Sequence, residues 1–241
     1  RVRLVLSGQA LASAERRAFD YYWPVGRHFG ARFTDLWSYR ESIPTVVDVA
    51  LRAVAPFRNP ATLLSDPSAR DLRIWHLRSG SALPLPEGAE GWSEGFATLP
   101  LQPPLAETVR TVHAREFGSA PYLGVMVRTH PNAHELTKKH SPLAWYVERM
   151  HELRAELGDG VRFYLSCDTA SAEAELRRLF PDAVSLAKSG GYNSRQAIID
   201  AVVDLYLLAG SSQILGPHHS SFPELAHLLT HPRYGIPKTY R

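Results

Sequence analysis

The chain of 241 residues holds one cysteine and two methionines, and lysine is scarce. A lone Cys167 excludes an internal disulfide framework and suits a reducing compartment, so a cytoplasmic setting is expected. Only four of the 27 basic residues are lysine (Lys138, Lys139, Lys188, Lys238); the others are arginines spread without a basic stripe. At a formal charge of +3, that pattern speaks against nucleic acid as a partner. It suits discrete anionic groups, each met by a planar fork of donors. No stretch approaches the ~18 continuous apolar residues of a membrane span. The opening segment lacks the unbroken apolar run of a signal peptide. Several catalytic signatures are missing as well. No Gly-x-Gly-x-x-Gly follows a strand, and there is no Gly-x-Ser-x-Gly, no His-Glu-x-x-His and no cysteine cluster. His130, His134 and His140 share one loop, but Pro131 breaks the helix that would align the first two. Neither a protein-held metal nor a cofactor is therefore expected.

Apolar residues make up 44% of the chain, ample for a real core. The wealth of Ala, Arg and Leu is that of a GC-rich bacterial genome. From residue 121 onward strand and helix patterns alternate. Strands are predicted at Tyr122–Val127, Arg162–Ser166, Ala183–Leu186 and Gln213–Leu215, with helices at Leu143–Leu157, Ser171–Phe180, Arg195–Ala209 and Phe222–Leu229. Ser141-Pro142 reads as a capped helix start and Gly158 as a helix stop. Such alternation implies a doubly wound parallel sheet. The first 104 residues are less regular. A helix is expected from the first residue on, with others at Pro44–Ala55 and Leu105–Phe117, a strand at Leu72–Leu77, and a surface loop over Ser79–Pro104. Two domains are expected, 1–104 and 105–241.

One segment carries most of the functional information: Tyr122-Leu-Gly-Val-Met-Val-Arg128-Thr129-His130. An apolar run ending in arginine and a polar loop is how a buried parallel strand delivers a cation to the carboxyl edge of a sheet, where ligands of such sheets bind. Arg128 there would meet a phosphate, or else pair with a neighbouring carboxylate. The other strand ends bring Asp168 and Thr169, then Lys188, Tyr192 and Arg195, then His218, His219, Ser220 and Ser221. Asp168 either caps the next helix or binds a ribose or base. Ser220-Ser221 is either an N-cap or an anion site at a helix N-terminus. Asp204 sits among apolar neighbours in a helix and needs a partner, either a ligand or a loop backbone.

In this order and spacing, these blocks resemble the fucosyltransferase superfamily, which spans bacterial nodulation α1,6-fucosyltransferases, core fucosyltransferases and protein O-fucosyltransferases. The segments are Met126-Val-Arg128-Thr129, Phe163 to Asp168-Thr169, and Ile198 through Asp204 to Ser220-Ser221-Phe222. The resemblance implies a GT-B-like pair of Rossmann-like domains, with the acceptor on the first and the nucleotide sugar on the second. It also implies that a strand and a Gly-rich turn precede Arg1. The activity implied is transfer of a fucose-like sugar from a GDP-linked donor to an acceptor hydroxyl of a glycan or small molecule, with inversion and without metal. Arg128 would face the diphosphate, Asp168 and Asp204 the guanosine, and Ser220 and Ser221 the β-phosphate, with Thr169, Arg195, His219 and Phe222 in the same donor site. For the acceptor's general base, Glu135 is preferred over His130, His134 and His140. The family's histidine is Met126 here and its second arginine Thr129, both on the sugar-diphosphate side. A catalytically silent nucleotide- or glycan-binding homologue, and more remotely a histidine-based metal hydrolase, are the competing readings.

Overall fold

A computed structural model describes residues 1–229 except 67, 69 and 70. The chain divides into two compact units, Arg1–Pro100 and Leu101–Arg241.

The first unit holds helices α1 (Val2–Ala14), α2 (Thr45–Val54), α3 (Pro60–Ser65) and α4 (Trp92–Thr98). α1 buries Val2, Val5, Leu6 and Leu11 and packs against α4. Its Ser7 hydroxyl accepts the Leu83 N–H at 2.8 Å, which ties the 79–91 segment to the helix. Tyr21, Trp23, Phe33, Trp37 and Phe96 fill the core with edge-on ring contacts.

Two sequence expectations fail here. Leu72–Leu77 forms no strand; its backbone makes one bridge, Arg58 with Leu77, and the Leu72 carbonyl accepts the Arg17 guanidinium at 2.6 Å. More generally, no strand occurs among the described residues of this unit, so its expected Rossmann-like sheet is not found there. The reason lies in the aromatics. The Ala31 and Arg40 carbonyls accept from Trp23 Nε1 (3.0 Å) and the Tyr21 hydroxyl (2.5 Å) instead of from a ladder. The Ser79–Pro104 loop contains α4, which its Gly, Pro and Glu content concealed.

The second unit opens with α5 (Pro103–Glu116), then β1 (Tyr122–Val127), α6 (Glu135–His140), α7 (Leu143–Leu157), β2 (Arg162–Cys167), α8 (Ala170–Leu179), β3 (Val184–Ser185), α9 (Arg195–Ala209), β4 (Gln213–Leu215) and α10 (Ser221–Leu228). The four strands form one parallel sheet in the order β3-β2-β1-β4. β1 is buried along its whole length, as a strand covered on both faces must be. Leu123, Val125 and Val127 with Phe163, Leu165 and Cys167 face Tyr146 and Met150 of α7 and Leu176 of α8. α9 covers the opposite face, against β1 and β2.

That opposite face depends on one glycine. A Cβ at Gly124 would lie 2.8 Å from Leu208 Cδ2 and 2.8 Å from Ser211 Oγ, so β1 and the end of α9 approach closely only without a side chain. Gly124→Ala is expected to destabilise the fold by about 1–3 kcal/mol through overpacking, measured by urea denaturation. An unchanged midpoint would refute that tight contact.

Candidate functional site

β1 is flanked by β2 on one side and β4 on the other: the chain runs outward from β1 through β2 to β3 and then crosses back to β4 on the far side of β1. This is a topological switch point, and the crevice outside the carboxyl ends of β1 and β4 is where open α/β sheets bind ligands. Two loops border it, residues 128–134 and 216–220.

Arg128 leaves β1 half-buried and makes no hydrogen bond or ion pair to any described residue. The paired-carboxylate alternative therefore has no partner among the described residues. The Tyr146 hydroxyl, close to the Arg128 main chain but outside bonding geometry, is buried without a hydrogen-bond partner among the described residues. Burial pushes that phenol well above its ordinary range.

Asp168 does not cap α8, because Thr169 does, accepting the Ala172 N–H. Asp168 instead holds the β1 loop in place. Its Oδ1 accepts the Thr129 N–H at 2.8 Å and, with Oδ2, the His130 N–H at 3.2 Å, while the Thr129 and Thr169 hydroxyls bond at 2.7 Å. The sequence alternatives for Asp168 omitted this one, in which the carboxylate positions the segment that carries Arg128.

The histidines of that loop are oriented by backbone contacts. His130 Nδ1 accepts the Asn132 N–H at 3.1 Å, and His134 Nδ1 accepts the Leu136 N–H at 3.2 Å as the cap of α6. With Nδ1 accepting, a neutral ring carries its proton on Nε2, so both rings offer donors rather than free lone pairs. Tyr192, 54% exposed, stacks on His130 at 4.1 Å with ring planes 10° apart.

Across the crevice, His219 takes φ 60° directly before α10, a left-handed conformation costly for a residue with a Cβ. Its neighbours hold it there. The buried Thr137 donates to the His218 carbonyl at 2.8 Å, and the buried Ser141 accepts the His218 N–H at 2.8 Å. Ser141 is thus spent on this loop and does not cap α7, contrary to the sequence reading. The His134 and His219 rings meet at 4.1 Å. Ser220 caps α10, its Oγ accepting the Phe222 N–H at 3.4 Å, and Ser221 opens the helix exposed, with Phe222 half-buried behind it. The N-cap reading of Ser220 holds; with the Phe222 N–H given to Ser220 and Pro223 lacking one, the first turn leaves the Ser221 N–H to face an anion.

Asp204 lies elsewhere. It is 1% exposed on the sheet side of α9, accepting the Tyr164 hydroxyl at 2.5 Å and the Ser166 hydroxyl at 2.7 Å, with Lys188 Nζ at 2.7 Å. The partner it needed is a loop lysine, which also donates to the Cys167 carbonyl. Burial pushes its carboxyl up, against the opposing pull of the ammonium and hydroxyls. A direct guanosine contact by Asp204 is not what these positions present; Asp204 anchors the β3–α9 loop from below. Lys188 was legible only as a strand-end residue, although an apolar-flanked aspartate in a chain of four lysines was a usable signal.

Glu135 stands in the first turn of α6, 85% exposed and paired with Lys138 at 2.7 Å, which holds its carboxyl below the usual range. Arg195 opens α9 after the Ser194 cap, at the exposed end of the β3–α9 loop. Among the described residues no three His, Cys, Asp or Glu side chains are grouped to hold a metal ion. No described helix is long and apolar enough to cross a membrane.

Fold and rim together give the second unit a doubly wound parallel sheet with, at its switch point, an arginine that has no partner among the described residues. No family model matches the chain, and no curated protein matches it in sequence. Solved structures do match its fold. NodZ α-1,6-fucosyltransferase soaked with GDP-fucose aligns with a TM-score of 0.60 and 19% identity over 95% of this chain and 88% of that one. The fucosyltransferase NodZ from Bradyrhizobium gives 0.61 and 18% over 95% and 88%. POFUT1 in complex with GDP-fucose gives 0.51 and 11% over 94% and 88%. The chain has the fold of these fucosyltransferases, as the resemblance read from its sequence motifs implied.

Proposed function

We propose that this chain is an inverting, metal-independent glycosyltransferase of the fucosyl type. It would take a GDP-linked, fucose-like donor on the second unit and an acceptor hydroxyl presented by the first, in a GT-B-like arrangement and a cytoplasmic setting. The observation that carries the reading is Arg128: a half-buried cation without a described partner, at the switch point of a fold shared with proteins solved with GDP-fucose. Departure of a nucleoside diphosphate leaves negative charge that the half-buried Arg128 guanidinium and the Ser221 N–H at the start of α10 would stabilise. The Nε2–H donors of His130 and His134 add to that field.

The departures from the family pattern fall differently on the site. Met126 is buried within β1, while the Thr129 hydroxyl is spent on Asp168 and Thr169. The rim thus keeps one arginine and replaces a second cation by imidazole donors. For the acceptor's base, His130 and His134 have no free lone pair in the tautomer set by their Nδ1 contacts. Glu135 has lone pairs but is a weak base beside Lys138. Leaving-group stabilisation, more than base catalysis, carries this mechanism.

Calorimetric titration with GDP in the presence of a chelator tests the proposal. Wild type should bind, and Arg128→Ala should bind about 10- to 100-fold more weakly, the value of lost charge-assisted bonds. No GDP binding by the wild type would overturn the donor reading. GDP binding without turnover of GDP-fucose would favour the silent homologue, for which the Met126 and Thr129 replacements speak.

A further inference from the structure

Helix α2 of the first unit carries its apolar stripe on the outside. At about 100° per residue, Val46, Val49, Ala50, Ala53 and Val54 fall on one face and Asp48 on the opposite one. A helix of a soluble domain normally turns such a stripe toward the core. Here Asp48 is the buried residue of the helix, while Val46 is 73% and Val54 74% exposed. Phe57, just past the helix, and Ile74, on the segment bonded to its end, are exposed as well.

Specific bonds hold the helix this way round. Asp48 accepts Arg52 Nη2 at 2.5 Å, and its other oxygen faces His76 Nε2 at 3.6 Å. His76 Nδ1 donates to the Ala55 carbonyl at 2.7 Å, and the Arg58 N–H donates to the His76 carbonyl at 2.8 Å. Turning the valines inward would pull Asp48 out of these contacts and leave a carboxylate unpaired.

Charge identifies what covers the stripe. Over 45–58 and 72–78 the exposed charges are Arg52, Arg58, Arg73 and Arg78, and the one carboxylate, Asp48, is buried. Asp66 and Asp71 belong to the stretch between these segments. The Arg52 and Arg78 guanidiniums lie 5.3 and 5.7 Å from the centre of the Phe57 ring, so cation and apolar side chain meet at the edge of the stripe. An apolar face with an arginine rim matches the boundary of a bilayer. Acyl chains there receive valine and phenylalanine, and lipid phosphates receive the guanidinium forks. We infer that this face lies on an anionic phospholipid bilayer, as a surface contact and not a span, independently of the donor reading. A second copy suits the face less. A two-fold axis would set the patch against itself, arginine facing arginine, with no exposed carboxylate in either segment to pair them.

Flotation of the intact chain with vesicles tests the inference, using phosphatidylcholine alone and an equimolar mixture with phosphatidylglycerol. The mixed vesicles should carry the chain and the neutral ones should not, with binding falling as salt is raised. Arg73→Gln combined with Arg78→Gln should weaken partition by about 25-fold, about fivefold for each charge. Val46→Gln combined with Val54→Gln leaves the net charge unchanged and should weaken it by at least about tenfold. Thermal unfolding and GDP affinity should stay as in wild type in both double variants, so this face and the donor site fail or stand separately. No flotation with the mixed vesicles, equal flotation with the neutral ones, or flotation indifferent to both double variants would overturn the inference. So would a wild-type dimer in sedimentation equilibrium that the valine variant dissolves, which would give the face to a second copy.

Discussion

Arg128→Ala should lower kcat/KM for transfer from GDP-fucose by about 10²–10³-fold, the cost of removing one preorganised donor from a developing anion. The side chain is half-buried and makes no bond to a described residue, so no structural ion pair is lost with it. Thermal unfolding should accordingly shift little, which separates loss of catalysis from loss of fold. Arg128→Lys should recover only part of the rate, because an ammonium is a point charge and cannot grip a phosphate through two parallel bonds. Steady-state kinetics on the three proteins decide the matter. Equal rates for all three would remove the guanidinium from the chemistry.

The second large effect concerns stability. Asp204→Ala leaves the Lys188 ammonium and the Tyr164 and Ser166 hydroxyls without their acceptor beneath the sheet. Breaking a buried pair in this way costs about 3–5 kcal/mol. Lys188 is 30% exposed and can turn toward water, so the cost should sit toward the lower part of that range. The double variant Asp204→Leu with Lys188→Met should recover a large part of the loss, and a double-mutant cycle by urea denaturation measures the coupling. Additive single effects would mean that the pair is not coupled. Protonation gives a further handle. Burial raises the Asp204 carboxyl above its ordinary value of 3.8. The folded chain therefore keeps a proton that the unfolded chain has already released. That stabilisation is fully present below 3.8 and is lost as pH rises through the raised folded value. Asp204→Asn should flatten this part of the stability–pH curve. As Asp204 is an anchor below the sheet, Asp204→Asn should also disturb GDP affinity far less than Arg128→Ala.

Much of the second unit was readable before any coordinate. β1, α7, α9 and β4 fall on their predicted residues, because unbroken apolar runs and amphipathic repeats bounded by Gly and Pro leave little freedom. Local pattern also placed Arg128 at a strand exit and Ser220 before a helix. The first unit resisted for the opposite reason. Its aromatic side chains bond backbone carbonyls directly, and no periodicity reports such bonds. α6 was invisible too, being six residues long and rich in Lys and His.

Residue order in the chain was enough to establish which groups reach the rim of the sheet. Their partners were settled by folding. Asp168 turned out to clamp the Arg128 loop, Ser141 to hold the His218 backbone, and Asp204 to take Lys188, each across 16 to 77 positions of sequence or, for Asp168, about 39. Side-chain hydrogen bonds act over about 3 Å whatever the separation along the chain, so only the packed structure could pair them.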